Sequence, residues 1–328
     1  MSASSIYGCG VSRAVTLTRG DLAPELRAEI RRLQRLEPVR NLRLLLLVPT
    51  MAAGGIAVES AGLPLARAAG TLAIAAVMMA LSVVMHEGVH HLLTRSRGWN
   101  RALAIACGLP ILLSADAYRA LHLRHHAFER TERDPDDIET LARRGIPLVL
   151  VYYVLLAVGA YLYFPHVAVA GYRAARSRTD RLAILLEYAV LLALFGLALW
   201  YSPGALVRLW LLPMMVAAQL TNIRSLAEHG LTTSGNPFTA TRSVRTSPVV
   251  AFFLCNLNFH LEHHLFPAVP WYNLPAVHGL LGPAYRATGA SVYDGYRAFL
   301  RDFLRTTWAG MIPDLRMVPA HIREDLCG

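Results

Sequence analysis

Charge is what this 328-residue chain has least of: Asp, Glu, Lys and Arg make up 16% of it, against 55% hydrophobic residues and a mean hydropathy of +0.39. A soluble globular chain is about a quarter charged, so a water-facing surface all round is excluded and lipid-facing helices are expected. Acidic residues are the scarcer sign, 22 against 32 basic, and the net charge is +10. The basic residues do not cluster with interleaved aromatics on one motif, which argues against nucleic acid as a partner. They flank apolar runs instead, as Arg27, Arg31, Arg32, Arg35, Arg40 and Arg43 do, in the manner of cytoplasmic loops of membrane proteins. Cysteine is sparse as well. Cys9, Cys107, Cys255 and Cys327 lie far apart and form no CxxC pair. Neither a disulfide framework nor a zinc ribbon is expected, and a reducing, cytosol-facing location fits. A secretory signal pattern is missing too, since the first long apolar run follows Arg43.

What the chain does have is long apolar stretches. A membrane-spanning helix needs about 20 apolar residues. Runs near 42–60, 66–92, 146–165, 182–201 and 205–223 qualify. The run 102–114 is too short and holds Gly108 and Pro110, so a re-entrant or interfacial piece is expected there. Before them, residues 25–37 place Leu26, Ile30, Leu33 and Leu36 at helical spacing, which fits a helix on the membrane surface or one packed on the body of the protein. Tight turns at 59–64 and 201–204 are poor in basic residues, whereas 94–101, 119–144 and 172–181 are rich in Arg. The positive-inside bias puts the N-terminus, these basic segments and the C-terminal third in the cytoplasm. Clusters of histidine at 86–91, 122–126 and 260–264 should meet on one side, which five spans would not allow. The run 146–171 is the one to demote: Pro165 and Gly171 interrupt it and basic segments flank it. The expected architecture is an all-α integral membrane protein with four transmembrane helices in two hairpins under a cytoplasmic helical cap. It divides into an N-terminal segment 1–41, a membrane domain 42–285 and a cytoplasmic tail 286–328.

Histidine carries the chemistry. Ten of the 13 histidines fall in four short stretches: HEGVHH at 86–91, HLRHH at 122–126, RSLAEH at 224–229 and NFHLEHH at 258–264. On a helix, residues three and four apart share a face. His86 with His90, the trio His122, His125 and His126, and the trio His260, His263 and His264 each point one way. His91 is turned roughly 140° from His86 and is on this count a packing residue or a partner of the ligands, although a distorted helix end could bring it in. His166, His278 and His321 are isolated, and ordinary core histidines are expected there. So many aligned imidazoles exceed one ion's needs, and no cysteine accompanies them. Imidazole suits Zn, Cu, Fe and Ni alike, but the number of donors argues for two ions. Open coordination positions beside an apolar core argue for oxygen chemistry on an apolar substrate. A soluble di-iron bundle would instead use Glu-x-x-His pairs.

HEGVHH, HLRHH and HLEHH, in that order, resemble the three histidine boxes of the membrane fatty acid desaturase and hydroxylase superfamily. RSLAEHG resembles the extra-histidine segment of many bacterial members, and NFHLEHHLFPAVPWYNLP is similar to the neighbourhood of the third box. The resemblance covers roughly residues 40–285. It implies four membrane helices, a cytoplasmic cap and a di-iron site. The implied ligands are His86, His90, His122, His125, His126, His229, His260, His263 and His264. Many members have glycine or another small residue where His91 stands. Metal-bound imidazoles usually donate their other N–H to a carboxylate or carbonyl, and Glu87, Glu228, Glu262, Asp134, Asp136 and Asp137 are placed for this. Glu87 and Glu262 could instead face solvent, and Arg224 with Glu228 could form a plain i,i+4 ion pair. Asn256 or Asn258 could hold a metal-bound water.

The expected function is O2-dependent desaturation of a fatty acyl chain, with two iron ions as cofactor and O2 as co-substrate. A hydroxylase or ketolase of the same superfamily, acting on an alkyl, acyl or carotenoid substrate, is the alternative; a histidine-lined metal transporter is the rival of another class. Neither a cytochrome b5-like HPGG segment nor a GxGxxG after a strand occurs. Electrons are therefore expected from a separate ferredoxin, rubredoxin or cytochrome with its reductase. The expected location is a bacterial cytoplasmic membrane, with the active site facing the cytoplasm. Gly54, Gly55, Ala75 and Ala76 read as helix-packing residues, with an acyl-chain tunnel as the other use of such small side chains.

Overall fold

The computed structural model describes residues 17–131, 133–136, 148–232 and 236–308; Asp137, His321, Cys9 and Cys327 lie outside the described residues. The first helix, α1 (Pro24–Leu33), starts on a proline at its first turn, where the missing N–H costs nothing. Its apolar stripe packs on protein: Ile30 is buried with Leu22, Leu274 and Val277, and the Asn273 amide donates to the Leu33 carbonyl at 2.7 Å. Of the two roles open to this amphipathic stretch, packing on the body is the one observed.

A 3-10 segment, Pro38–Leu46, leads into α2 (Leu47–Ser60), and α3 (Pro64–Val89) returns antiparallel beside it. Small residues permit the approach. A Cβ on Gly70 would stand 2.7 Å from the Gly54 carbonyl, and one on Gly54 would stand 2.9 Å from Ile74. The next helix, α4 (Arg97–Gly108), is capped by Ser96, whose Oγ accepts from Trp99 N. It runs against α3 so closely that a Cβ on Gly88 would meet the Asn100 carbonyl at 2.9 Å. Leu112 turns the chain at φ 61°, and α5 (Ala115–Phe128), capped by Ser114, leaves at 103° to the segment before it. This sharp bend falls where a re-entrant or interfacial piece is expected; by length and composition the bent pair is a broken span or a re-entrant loop.

Helix α6 (Leu148–Ala174) departs from the sequence reading: it runs without a break through Pro165 and includes Gly171. A proline is tolerated within an apolar helix because neighbouring groups re-satisfy the freed carbonyl. Gly171 is there for contact, since a Cβ on it would lie 2.4 Å from the Ala117 carbonyl of α5. Helix α6 meets other elements along its whole length. Tyr152 accepts from Leu231 N at 2.9 Å, Ala160 N donates to Asn222 Oδ1 at 2.6 Å, and His166 Nε2 lies 3.1 Å from Asp136.

A Ser177–Asp180 capping box opens α7 (Arg178–Tyr201). The short α8 (Pro203–Leu206), a π-helical stretch Val207–Leu211 and α9 (Leu212–His229) form one segment. Then come β1 (Ser243–Val244), α10 (Pro248–Phe253), α11 (His260–Leu265), α12 (Leu274–Thr288), β2 (Val292–Tyr293), which pairs parallel with β1, and α13 (Tyr296–Trp308). Among the described residues, five segments are long and apolar enough to cross a membrane: Pro38–Ser60, Pro64–Val89, Val149–Ala174, Arg178–Tyr201 and Pro203–His229. Only Pro64–Val89 is more than half buried in protein over its most apolar stretch, which makes α3 the hub of the bundle. The others turn residues such as Leu186, Leu192 and Trp200 outward. Large apolar side chains on a membrane helix face lipid without cost.

Candidate metal centre

Four helix ends converge. The last turn of α3 brings His86, with His90 as its C-cap; α5 brings His122, His125 and His126. The end of α9 brings His229, and the short α11 brings His260, His263 and His264. All nine histidines named from the sequence come together, in two adjoining groups.

In the first group, Nε2 atoms follow one another at 3.0 Å from His86 to His263, 3.1 Å to His126, 3.0 Å to His122 and 3.0 Å to His90. In the second, ligand atoms of His125, Glu129, His229 and His264 all lie within 4.8 Å of one another. His260 Nε2 adjoins this group, 2.8 Å from His229 Nε2 and 3.1 Å from His264 Nε2. The rings of His126 and His264 stack at 4.4 Å between the two groups.

This donor set fits cations. An imidazole nitrogen facing another can hydrogen-bond only if one of them holds the proton, and five nitrogens in sequence cannot all be satisfied that way. Lone pairs converging on a common centre are what a metal needs. Burial drives the imidazoles of His260 and His263 far below their ordinary pKa, with His264 and His86 respectively adding to the effect. Both rings are held neutral, the form that binds metal. The outer nitrogens agree. Asp134 lies 2.9 Å from His125 Nδ1, the carboxylate contact that orients a metal-bound imidazole through its outer nitrogen. Glu228 lies 3.5 Å from His260 Nδ1 and Glu87 3.5 Å from His86 Nδ1.

The carboxylates divide more finely than their spacing showed. Glu87 is fully buried and also accepts from Trp271 N at 3.1 Å, so the solvent-facing reading fails for it. Glu228 forms the ion pair considered for it, accepting from Arg224 Nε at 2.8 Å with its other oxygen, while His260 Nδ1 has no hydrogen-bond partner among the described residues. Glu262 neither faces solvent nor supports a clustered imidazole. It is buried among Ser243 Oγ, Tyr285 Oη and His278 Nδ1, which all hydrogen-bond to it, and so ties α11 to β1 and α12. His278 is thus a structural partner, invisible in sequence because its acceptor lies 16 residues away. Asp136 contacts His166 and Tyr163. The amides of Asn258 and Asn256 donate to the carbonyls of Val244 and Trp271, and Asn258 Oδ1 is buried without a partner among the described residues. His91 joins neither group. Glu129 was not anticipated, although it stands four residues after His125 and at helical spacing would share that face.

The family model described as fatty acid desaturase matches residues 63–296. An "Acyl-lipid (8-3)-desaturase" of Rebecca salina is 25% identical over 228 residues, covering 59% of this chain and 52% of the relative. A "Delta(8)-fatty-acid desaturase" of Euglena gracilis is 22% identical over 233 residues, covering 58% and 55%. The chain spans about half the length of these relatives.

Proposed function

The chain belongs to the fatty acid desaturase family, whose members are oxidoreductases of lipid metabolism, and from that premise we propose that it desaturates a fatty acyl chain with O2 at a di-iron centre held by its clustered histidines. The observation that carries this is the convergence of nine imidazoles into two adjoining donor groups. His86, His90, His122, His126 and His263 hold one ion; His125, His229, His260 and His264 hold the other. When bound, the iron pair supplies reductive activation of O2 and removal of hydrogen from an unactivated CH2.

The chain's own groups set up the site. Asp134 orients His125 through Nδ1, and Glu87 and Glu228 stand at the corresponding nitrogens of His86 and His260. Tyr118 stacks on the His122 ring at 4.9 Å and packs against the apolar cluster of Met78, Met85, Leu121, Val167 and Met214. That cluster excludes water beside the imidazoles and suits an acyl chain.

Electrons come from an external ferredoxin, rubredoxin or cytochrome with its reductase. Supporting this, Arg124, Arg133 and Arg173 line a cleft of about 410 Å³ together with Asp134, the hydrogen-bond partner of His125, and arginine-rich surface steers acidic carriers. The membrane arrangement is part of the proposal: four spans in two hairpins, a cap on the cytoplasmic side of a bacterial membrane, and α6 lying along that side. Both ends of α6 meet elements that carry the histidines, Leu231 beyond α9 and Ala117 of α5. The division at residues 41 and 285 belongs to the same reading, with α1 and α13 packed on the membrane domain.

The test is iron per chain in detergent-purified protein, with His263→Ala as control, followed by product analysis on acyl substrates. Two irons, reduced in the variant, and an alkene product are expected. An alcohol product would make the chain a hydroxylase, and stoichiometric zinc without iron after anaerobic loading would overturn the oxygenase reading.

A further inference from the structure

We propose that Glu129 is a direct ligand of the second metal, so that one ion sits among five imidazoles and the other among four imidazoles and a carboxylate. This rests on the di-iron reading above and adds to it a donor outside the histidine motifs.

Position comes first. Helix α5 ends at Phe128, and Glu129 is its C-cap with φ −44° and ψ 130°. Four residues after His125, its side chain starts from the same side of the helix. Its carboxylate lies within the 4.8 Å group formed with His125, His229 and His264.

Its partners come next. Glu129 Oε1 is buried without a hydrogen-bond partner, and Oε2 lies 3.0 Å from His264 Nδ1. A buried carboxylate oxygen is costly unless a donor or cation meets it. Two of the other acids beside the site have a backbone or arginine donor, Arg224 Nε for Glu228 and Arg130 N with Asp136 N for Asp134; Glu87 accepts from Trp271 N on Oε2, while its Oε1 is also without a partner among the described residues and lies 3.5 Å from His86 Nδ1. Glu129 has neither a backbone N–H nor an arginine on its carboxylate among the described residues.

The donor count is the third point. With Glu129, each group offers five donors. Carboxylate oxygen joined to imidazole nitrogen is a combination that suits non-haem iron. A negative ligand on one side only makes the two ions unlike, and they should leave the protein at different rates.

Glutamine separates a ligand from a group that merely orients His264, because its carbonyl oxygen keeps the place beside His264 Nδ1 but carries no charge. The experiment loads the full chain in detergent with Fe2+ anaerobically and follows iron content and its release to a chelator. The wild type should hold two ions and release them in two phases. In both Glu129→Gln and Glu129→Ala, one phase should accelerate by roughly tenfold or more, the scale of lost metal-site contacts. It should be the phase lost in His229→Ala and kept in His90→Ala. If Glu129→Gln releases both ions at wild-type rates, Glu129 is not a ligand, whatever Glu129→Ala does. A wild-type chain that takes up no iron overturns the di-iron reading itself and this assignment with it.

Discussion

At the scale of single residues, the backbone explains His91 better than its ring does. It sits at φ 62°, with His91 N donating to Gly88 O and Leu92 N to Glu87 O. This is a Schellman ending, whose left-handed position glycine favours. The small residue that many family members have there thus has a backbone reason. Arg130 and Leu231, each the second residue after α5 and α9, are left-handed too, at φ 57° and 56°, but there an extended C-cap comes between helix and turn. The left-handed conformation costs an L-residue about 1–2 kcal/mol. His91→Gly should therefore raise the thermal unfolding midpoint in detergent and leave iron per chain unchanged. A loss of iron would mean that the ring, and not only the backbone, serves the site.

Among elements, α6 shows how a sequence signal can be read correctly as residues and wrongly as structure. Pro165 and Gly171 look like breaks, yet the helix is continuous and Gly171 is the point where it touches α5. Because α5 carries His122, His125 and His126, a side chain at that contact reaches the site through the helix. Gly171→Val should cost about 1–3 kcal/mol, the range for overpacking a tight contact, and should lower iron occupancy as well as the unfolding midpoint. An unchanged midpoint and occupancy would show that α6 can retreat without moving α5. Helix α11 is the opposite case. Six residues long, it has little stability of its own, and the contacts of Glu262 with Ser243, Tyr285 and His278 hold it in place.

For the whole molecule, the number of spans decides which side each loop faces. The proposed arrangement places residue 62 across the membrane from residues 95 and 176. Single cysteines at these positions, Gly62→Cys, Arg95→Cys and Arg176→Cys, in a chain carrying Cys9→Ser and Cys327→Ser, should react with an impermeant thiol reagent in vesicles accordingly. The cysteine replacing Gly62 should label from one face, and those replacing Arg95 and Arg176 from the other. Labelling of the residue-176 cysteine from the same face as the residue-62 cysteine would make α6 a crossing helix and overturn the four-span arrangement.

Membrane character, the helical class and the family were legible in the sequence because each is a local signal: apolar run length, spacing of three and four, and short histidine motifs. The convergence of the nine histidines could be expected from those motifs, since aligned imidazoles have no other economical use. Their division into two groups could not, because His125 and His126 are neighbours on one helix and turn to different groups. Nor could the partners of Glu262 or the place of Glu129, which depend on contacts between segments far apart in the chain or on how a helix ends. The sequence by itself determined which histidines are aligned to act together. Only the tertiary structure decided which of them share a centre, because that depends on where four helix ends meet in space.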